Sequence, residues 1–478
     1  MASRADQDIC FMSARELAGL IRSRAVSARE VMAAFLDQIA WLNPKINAVV
    51  AKLDDGQCLA LADEADRRFS RGDAAVGPLH GLPFAFKDLD AAVGFPMTRG
   101  SPIFEVFMPS EDSVLVERLR SAGVIPIGKT NVSEFGMGSH TYNQVYGTTF
   151  NPYDLSKTAG GSSGGAGAAL AAGLLPLASG SDLGGSLRNP ANFNNIVALR
   201  PTVGLVPSAP VALPFLGFTV KGPMARAVSD TAFLLSVMAG ADPRDPAVYP
   251  SDPAVFAQPL DRDFKNVRVA WCPDLGGLPL DRRVRSVLAA QRKTVADLGC
   301  IVEDAVPDLS GADEVFLTLR AWNYYHTLGP LLAKHRDEMK PEAVWQIECG
   351  RDLSGAEIAD AMSLHGELMQ RMRGFQEKYE FLICAVNQVP PFDAAIDWPR
   401  EIDGVKMENY LDWMKSAYWI TSTFCPAISV PAGFTEDGLP VGVQIVGRYR
   451  DDLGVLQLAH AFERATGFGQ RRPPIVLR

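Results

Sequence analysis

Residues 156–208 constrain the fold more than any other part of the chain. They hold its densest run of glycine and serine, GGSSGGAGAALAAGLLPLASGSDLGGSLRNPA at 160–191, yet this run encloses the apolar stretch AGAALAAGLLPLA at 166–178. A flexible linker carries no such stretch, and it is too short to cross a bilayer. It reads as a buried helix among glycines. Ordered turns are expected on its far side, at SDLGGS (181–186) and RNPAN (188–192).

Elsewhere, short apolar runs alternate with amphipathic helices. The first 65 or so residues read as helical. Ser13 and Ser27 each open an S-x-x-E capping box closed by Glu16 and Glu30, and apolar residues recur at helical spacing through Val31, Phe35 and Ile39. Pro44 marks a stop. GLPFAFKD (81–88) reads as a strand, EDSVLVERLRSAG (111–123) as a helix with Gly123 as C-cap, and VIPIGKT (124–130) as a buried strand and turn. Residues 282–299 and 341–380 are helical by pattern, FLICAV (381–386) and VGVQIVG (441–447) read as strands, and 241–253 as a surface crossing. This alternation predicts an α/β class with an at least partly parallel sheet. No internal repeat or domain linker interrupts it, so residues 1–478 are expected to form one domain with a helical N-terminal segment over about 1–65.

Charge and cysteine usage exclude several functions. The 46 basic and 55 acidic residues give a net charge of −9 without a charged tail, which argues against nucleic acid or anionic membrane as partner and favours a small neutral molecule. Seven scattered cysteines, never in a CxxC pair, form neither a disulfide framework nor a zinc set, and a reducing cytoplasm is the expected compartment. The N-terminus MASRADQDICFMSARELAG has no unbroken apolar core, so no signal peptide is expected.

Three motifs bear on chemistry. GVIPIGKT (123–130) satisfies the phosphate-loop expression G-x-x-x-x-G-K-[ST]. That mechanism needs a strand, a flexible loop and then a helix; here Val-Ile-Pro-Ile fills the middle and a helix precedes, so a buried strand is expected instead. GGSSG (160–164) fits the nucleophile elbow G-x-S-x-G at Ser162, and 161–165 fits it again at Ser163. An acid and a histidine should follow, but His326, His335, His365 and His460 stand in helix-like or undistinguished surroundings. The third motif is the long block itself, with two glycine-flanked serines, Ser162 and Ser186. Successive amides of Leu183, Gly184, Gly185 and Ser186 offer a nest for an oxyanion. Glycine-rich turns often serve tight backbone geometry alone; the length of the block and its paired serines favour chemistry.

Residues 160–208 resemble the signature block of the amidase signature family, the Ser-Ser-Lys hydrolases. GLPFAFKDL (81–89) resembles the family's lysine strand, GVIPIGKTNVSEFGMG (123–138) its next stretch, FNPYDLSKTAGGSSGG (150–165) the lead into the block, and PAISVPAGFTEDGLPVGVQIVG (426–447) its C-terminal motif. The resemblance implies a large mixed, mainly parallel twisted sheet flanked by helices on both faces. It assigns Ser186 as nucleophile, Ser162 as bridge and Lys87 as base, with a cis peptide bond between Gly161 and Ser162. Asp182 and Arg188 brace the loop, and Ser163 assists through hydrogen bonds. Met137 and Gly138 match positions where related enzymes shape the acyl pocket. The region of about 210–425 is expected to shape the substrate site, with Phe215, Phe218, Trp322, Tyr324, Tyr325 and the 387–390 segment as candidates. The chain departs from the family at Asn195, Ala198 and Arg200, where NIVALRPT (195–202) replaces a glycine-containing stretch, at Leu205, and at Phe424 and Cys425.

Serine needs a base, the block has no histidine, and Lys87 is the matched candidate. A lysine accepts a proton near neutral pH only when burial lowers its pKa. Phe84, Ala85, Phe86 and Leu89 favour such burial, and Asp88 opposes it. The expected function is an amidohydrolase that cleaves the C–N bond of small amides through an acyl-enzyme on Ser186, with no metal or organic cofactor. Apolar or aryl amides are favoured, and carbamates (urethanes) and esters stay open. The alternatives are a glutaminase-type subunit of a tRNA-dependent amidotransferase and a non-catalytic binding protein on the same scaffold. The expected partner is a small amide or carbamate, with no nucleic acid and no membrane; a homodimer stays open.

Overall fold

A computed structural model of the chain describes residues 4–71 and 76–477. Helices Arg4–Phe11, Ala14–Ser23, Ala28–Ile46 and Asp55–Ser70 make up most of the N-terminal part. Ser27 and Glu30 form the expected capping box, whereas Ser13 caps one way only, its side chain accepting from the Glu16 amide. Pro44 does not stop its helix. It falls in the last turn, and the helix ends at Asn47, whose left-handed backbone (φ 56°) turns the chain.

β1 (Val49–Val50), β2 (Pro83–Lys87) and β3 (Ile125–Thr130) form a small sheet in the order β1-β3-β2, with β2 and β3 parallel. The helix Val114–Ser121 connects β2 to β3. A hairpin of β4 (Phe150–Asn151) and β5 (Asp154–Thr158) leads into the serine block. β6 (Ala178–Asp182), β7 (Val197–Arg200), β8 (Val220–Ala225), β9 (Arg268–Trp271), β10 (Ile301–Asp304) and β11 (Phe381–Ala385) belong to a larger sheet. After a short hairpin of β12 (Glu401–Ile402) and β13 (Val405–Lys406), β14 (Ala427–Phe434) and β15 (Pro440–Val446) complete it. Its order is β10-β9-β11-β15-β14-β7-β8-β6.

This is the large mixed sheet expected, but its balance differs. Parallel pairing is confined to β10-β9-β11, and the other pairings are antiparallel. Continuous apolar runs report burial on both faces and say nothing of a neighbour's direction. β14 and β15 have the composition of parallel core strands, yet the tight Thr435–Leu439 turn joins them as a hairpin.

Alternation along the strands sorts two faces. Phe381, Ile383 and Ala385 of β11, Ile428 and Val430 of β14, and Val443 and Ile445 of β15 enter one core with residues of the helices Val228–Met238, Arg282–Asp297 and Asp452–Thr466. Leu382, Cys384, Ala427 and Val446 face the other way and pack with Leu368 and Met372 of the helix Gly355–Lys378. Gln444 lies on this second face, where it meets Arg188 of the helix Arg188–Phe193. RNPAN is therefore part of a helix. The helix expected over 166–178 is shorter, Gly164–Ala171; Gly173 (φ 70°) turns the chain and Pro176, without an N–H, cannot continue a helix. Among the described residues no helix is long and apolar enough to cross a membrane.

Candidate active site

Lys87 is the last residue of β2, all of whose side chains are buried. β2 touches β6 of the larger sheet. From there Lys87 Nζ reaches Ser162 Oγ at 2.9 Å, Ser163 Oγ at 2.7 Å and Ser181 Oγ at 3.0 Å. The side chain is fully buried, and burial pushes its pKa down to about 7; Lys221 adds to the effect, while Asp90 and Asp182 oppose it. Asp88 is not part of that opposition; its carboxylate accepts from the amide and hydroxyl of Thr98. Three hydroxyls suit the amine in either state. An ammonium donates to all three, and a neutral amine donates to two and accepts from the third.

The two serine loops are pinned together. The Gly161–Ser162 peptide is cis, and the Gly161 carbonyl accepts from Ser139 Oγ at 2.9 Å. The Ser163 amide donates to the Ser186 carbonyl at 3.3 Å, which sets Ser186 beside the lysine cluster. Ser162 is 1% exposed and Ser186 9%, so Ser186 is the one a small molecule meets first.

Asp182, fully buried, organises the turn that carries Ser186. Its carboxylate accepts from the Gly185 amide at 2.8 Å, the Leu187 amide at 3.2 Å, Arg188 Nε and Nη2 at 3.0 Å each, and Arg200 Nη1 at 3.3 Å. Burial pushes its pKa up, but Arg188 and then Arg200 outweigh burial and hold the carboxyl well below its usual range. Arg188 also donates to the Ala417 carbonyl at 2.9 Å, Gln444 Oε1 at 2.5 Å and Thr421 Oγ1 at 2.8 Å. Arg200, a departure from the family pattern in sequence, is a second clamp on Asp182, and burial brings its pKa down to about 10 against the pull of that carboxylate. One expectation needs correction. Gly185 gives its amide to Asp182, so of the four amides expected to face an oxyanion, Leu183, Gly184 and Ser186 remain.

Met137 and Gly138 border the same centre. A Cβ added to Gly136 would stand 3.6 Å from Ser162 Oγ, so this segment passes directly beside that serine. Met137 is buried among Phe135, Tyr324, Leu328 and Met339, and its carbonyl accepts from Lys340 Nζ at 2.7 Å. A Cβ at Gly138 would stand 3.7 Å from Lys340 Nζ and 3.8 Å from the Tyr410 ring. Leu183 packs against this apolar cluster and against a second one that holds Phe218, Phe316 and Tyr418. Of the candidate aromatics, Phe218 and Tyr324 belong to these clusters and Trp322 is half-buried against one. Phe215, at 78% exposure, and Tyr325 turn to solvent.

Sequence reasoning did not single out Ser181, although it opens the SDLGGS turn. Lys129 of the false phosphate loop is fully buried in β3, its Nζ donating to the Asp90 carbonyl at 2.5 Å. Among the four histidines weighed against an elbow, His335 pairs with Glu338 and His365 lies against Phe218 and Phe424. Among the described residues no group of three or more His, Cys, Asp or Glu side chains is placed to hold a metal ion.

Known proteins resemble the chain over most of its length. The model of the Amidase family matches residues 30–456. An acylamidase of Rhodococcus erythropolis is 35% identical over 476 residues, covering 98% of each chain. A subunit of the glutamyl-tRNA(Gln) amidotransferase of Cupriavidus necator is 33% identical over 502 residues, covering 96% of this chain and 98% of its own. Among solved structures, a bacterial aryl acylamidase of the amidase signature family superposes with a TM-score of 0.90 at 28% identity, covering 98% of this chain and 99% of its own.

Proposed function

This chain belongs to the Amidase family, and from that premise we propose that Ser186, Ser162 and Lys87 hydrolyse an amide through an acyl-enzyme. The chain is an amidohydrolase of small amides, acting on the C–N bond. The observation that carries the assignment of residues is the buried amine, Lys87 Nζ within 2.9 Å of Ser162 Oγ.

Ser186 Oγ attacks the carbonyl carbon; its proton passes to Ser162, and the Ser162 proton passes to Lys87. The oxyanion is met by the amides of Leu183, Gly184 and Ser186. When the C–N bond breaks, the leaving nitrogen takes the proton back from Lys87 through Ser162. Water then attacks the Ser186 ester along the same route and releases the acid. Asp182, clamped by Arg188 and Arg200, positions the turn through the Gly185 amide. Apolar and aryl amides are favoured because Leu183 stands between two apolar clusters. Carbamates and esters present the same carbonyl and stay within reach of the mechanism.

A serine-directed fluorophosphonate should label the wild type on Ser186 and leave Ser186→Ala unlabelled, with anilide turnover lost in the same variant. Labelling and turnover undiminished in Ser186→Ala would sink the assignment. The likeness to an amidotransferase component favours a second reading, a glutaminase-type subunit of a tRNA-dependent amidotransferase. Turnover of acyl anilides by the purified chain alone, with glutamine left intact, counts against it. Turnover that requires added subunits counts for it.

A further inference from the structure

The helix Ala312–His335 brings a further buried cation to the centre. Phe316, Arg320 and Tyr324 stand four residues apart in sequence and so share one face of it. Both ends of this stripe meet the site. Phe316 abuts the turn that carries Ser186, since a Cβ at Gly184 would lie 2.7 Å from Phe316 Cζ. Tyr324 packs in the cluster of Met137, from the segment that passes Ser162. Arg320 lies between them.

Three aromatic rings enclose its guanidinium, with the Cζ atom 4.8 Å from the Tyr324 centroid, 5.5 Å from Tyr410 and 5.9 Å from Phe316. Tyr410 is also the ring that borders Gly138. Arg320 is 3% exposed, its Nη1 has no hydrogen-bond partner, and no ion pair reaches it among the described residues. Ring faces and the hydroxyls of Tyr324 and Tyr410 offset part of the charge, but a guanidinium carries five donors, and a donor left unmet away from water, here on Nη1, is costly. The charged side chains nearby are otherwise engaged or distant. Lys340 adds positive charge and donates to the Met137 carbonyl, Glu134 accepts the Lys340 amide at 2.8 Å, Glu342 faces the Tyr142 hydroxyl at 3.4 Å, and Asp397 is exposed.

We propose that Arg320 is a specificity-determining residue of the acyl pocket that binds a carboxylate carried by the substrate, so that preferred substrates are monoamides of dicarboxylic acids. A planar fork held between rings matches two carboxylate oxygens, and the aliphatic or aryl part between carboxylate and amide lies along the apolar clusters at Leu183. This rests on the amide-hydrolase reading above and names its substrate class.

The test compares mono(4-nitroanilides) of succinic, glutaric and adipic acid with their methyl esters, and with 4-nitroacetanilide as neutral reference. The best acid should show a KM at least about tenfold below that of its ester, because an acceptor is then supplied to a site built to donate. Arg320→Met should abolish the difference, the KM of the acid rising to that of its ester, and Arg320→Lys should restore part of it. Equal KM values for acid and ester in the wild type, or a preference that survives in Arg320→Met, overturn the role of Arg320 and leave amide hydrolysis standing. A wild type that cleaves none of the three compound types removes the hydrolase reading, and this inference with it. Should the Met variant not fold, inhibition of wild-type acetanilide turnover by N-phenylglutaramic acid and by its methyl ester decides the matter. Inhibition no tighter by the acid than by the ester overturns the proposal.

Discussion

Arg188 and Arg320 are both buried guanidinium groups, at 0% and 3% exposure, and their surroundings are opposite. Arg188 donates to Asp182, the Ala417 carbonyl, Gln444 and Thr421, so the fold itself supplies its partners. Arg320 has three rings around it and no carboxylate. The turn beneath Ser186 is thereby fixed by folding alone, whereas the wall built by residues 312–335 holds a donor the fold does not use. A buried charge whose donors are all met from within is structural. One with a donor left over, beside two tyrosine hydroxyls and no carboxylate, is a demand on something from outside.

The largest effect expected is chemical. Ser186→Ala should lower kcat/KM by a factor on the order of 10⁴ or more while the thermal midpoint stays near wild type, measured on anilide substrates. Next, Arg188→Met leaves Asp182 buried with one of its two guanidinium partners gone, and should cost about 3–5 kcal/mol of unfolding free energy, read as a lower urea midpoint. A smaller effect concerns pH. Protonated Lys87 cannot accept a proton, so kcat/KM should climb about tenfold per pH unit on the acid side and level off above a bend near the lysine's pKa of about 7. Lys221 disfavours the protonated form and pairs with Asp90, so Lys221→Met should raise the Lys87 pKa and move that bend to higher pH. A bend that stays put would detach Lys221 from the base. The smallest effect sharpens the contrast: Arg320→Met strands no carboxylate, and its stability should remain within about 1 kcal/mol of wild type. Equal losses at 188 and 320 would erase the distinction between the two arginines.

Much of the centre was legible because its chemistry is local. Glycine-flanked serines advertise themselves, Lys87 was reached through the resemblance of its strand to the family's, and the fold brings Lys87 to Ser162 across 75 residues. Ser181 was not legible, since its place beside Lys87 depends on β6 lying next to β2, a fact of tertiary packing. Arg200 looked like a mere departure because its partner Asp182 lies 18 residues away, across a helix. The direction of β14 and β15 and the early end of the 164–171 helix escaped for the same reason: hydrophobicity reports burial, while a turn or a single proline decides the geometry. Arg320 gave no signal, because an arginine in a helix is usually solvated and only the packed rings reveal otherwise.

Lys87 ends a strand of the small sheet, while Ser181 belongs to the edge strand of the large one. The proposed proton acceptor and part of its oxygen cradle therefore sit on opposite banks of a seam, and on that proposal neither bank is competent by itself. Turnover doubles as a gauge of docking: mild denaturant should extinguish hydrolysis once the seam parts, while each sheet still keeps its own ladder of hydrogen bonds.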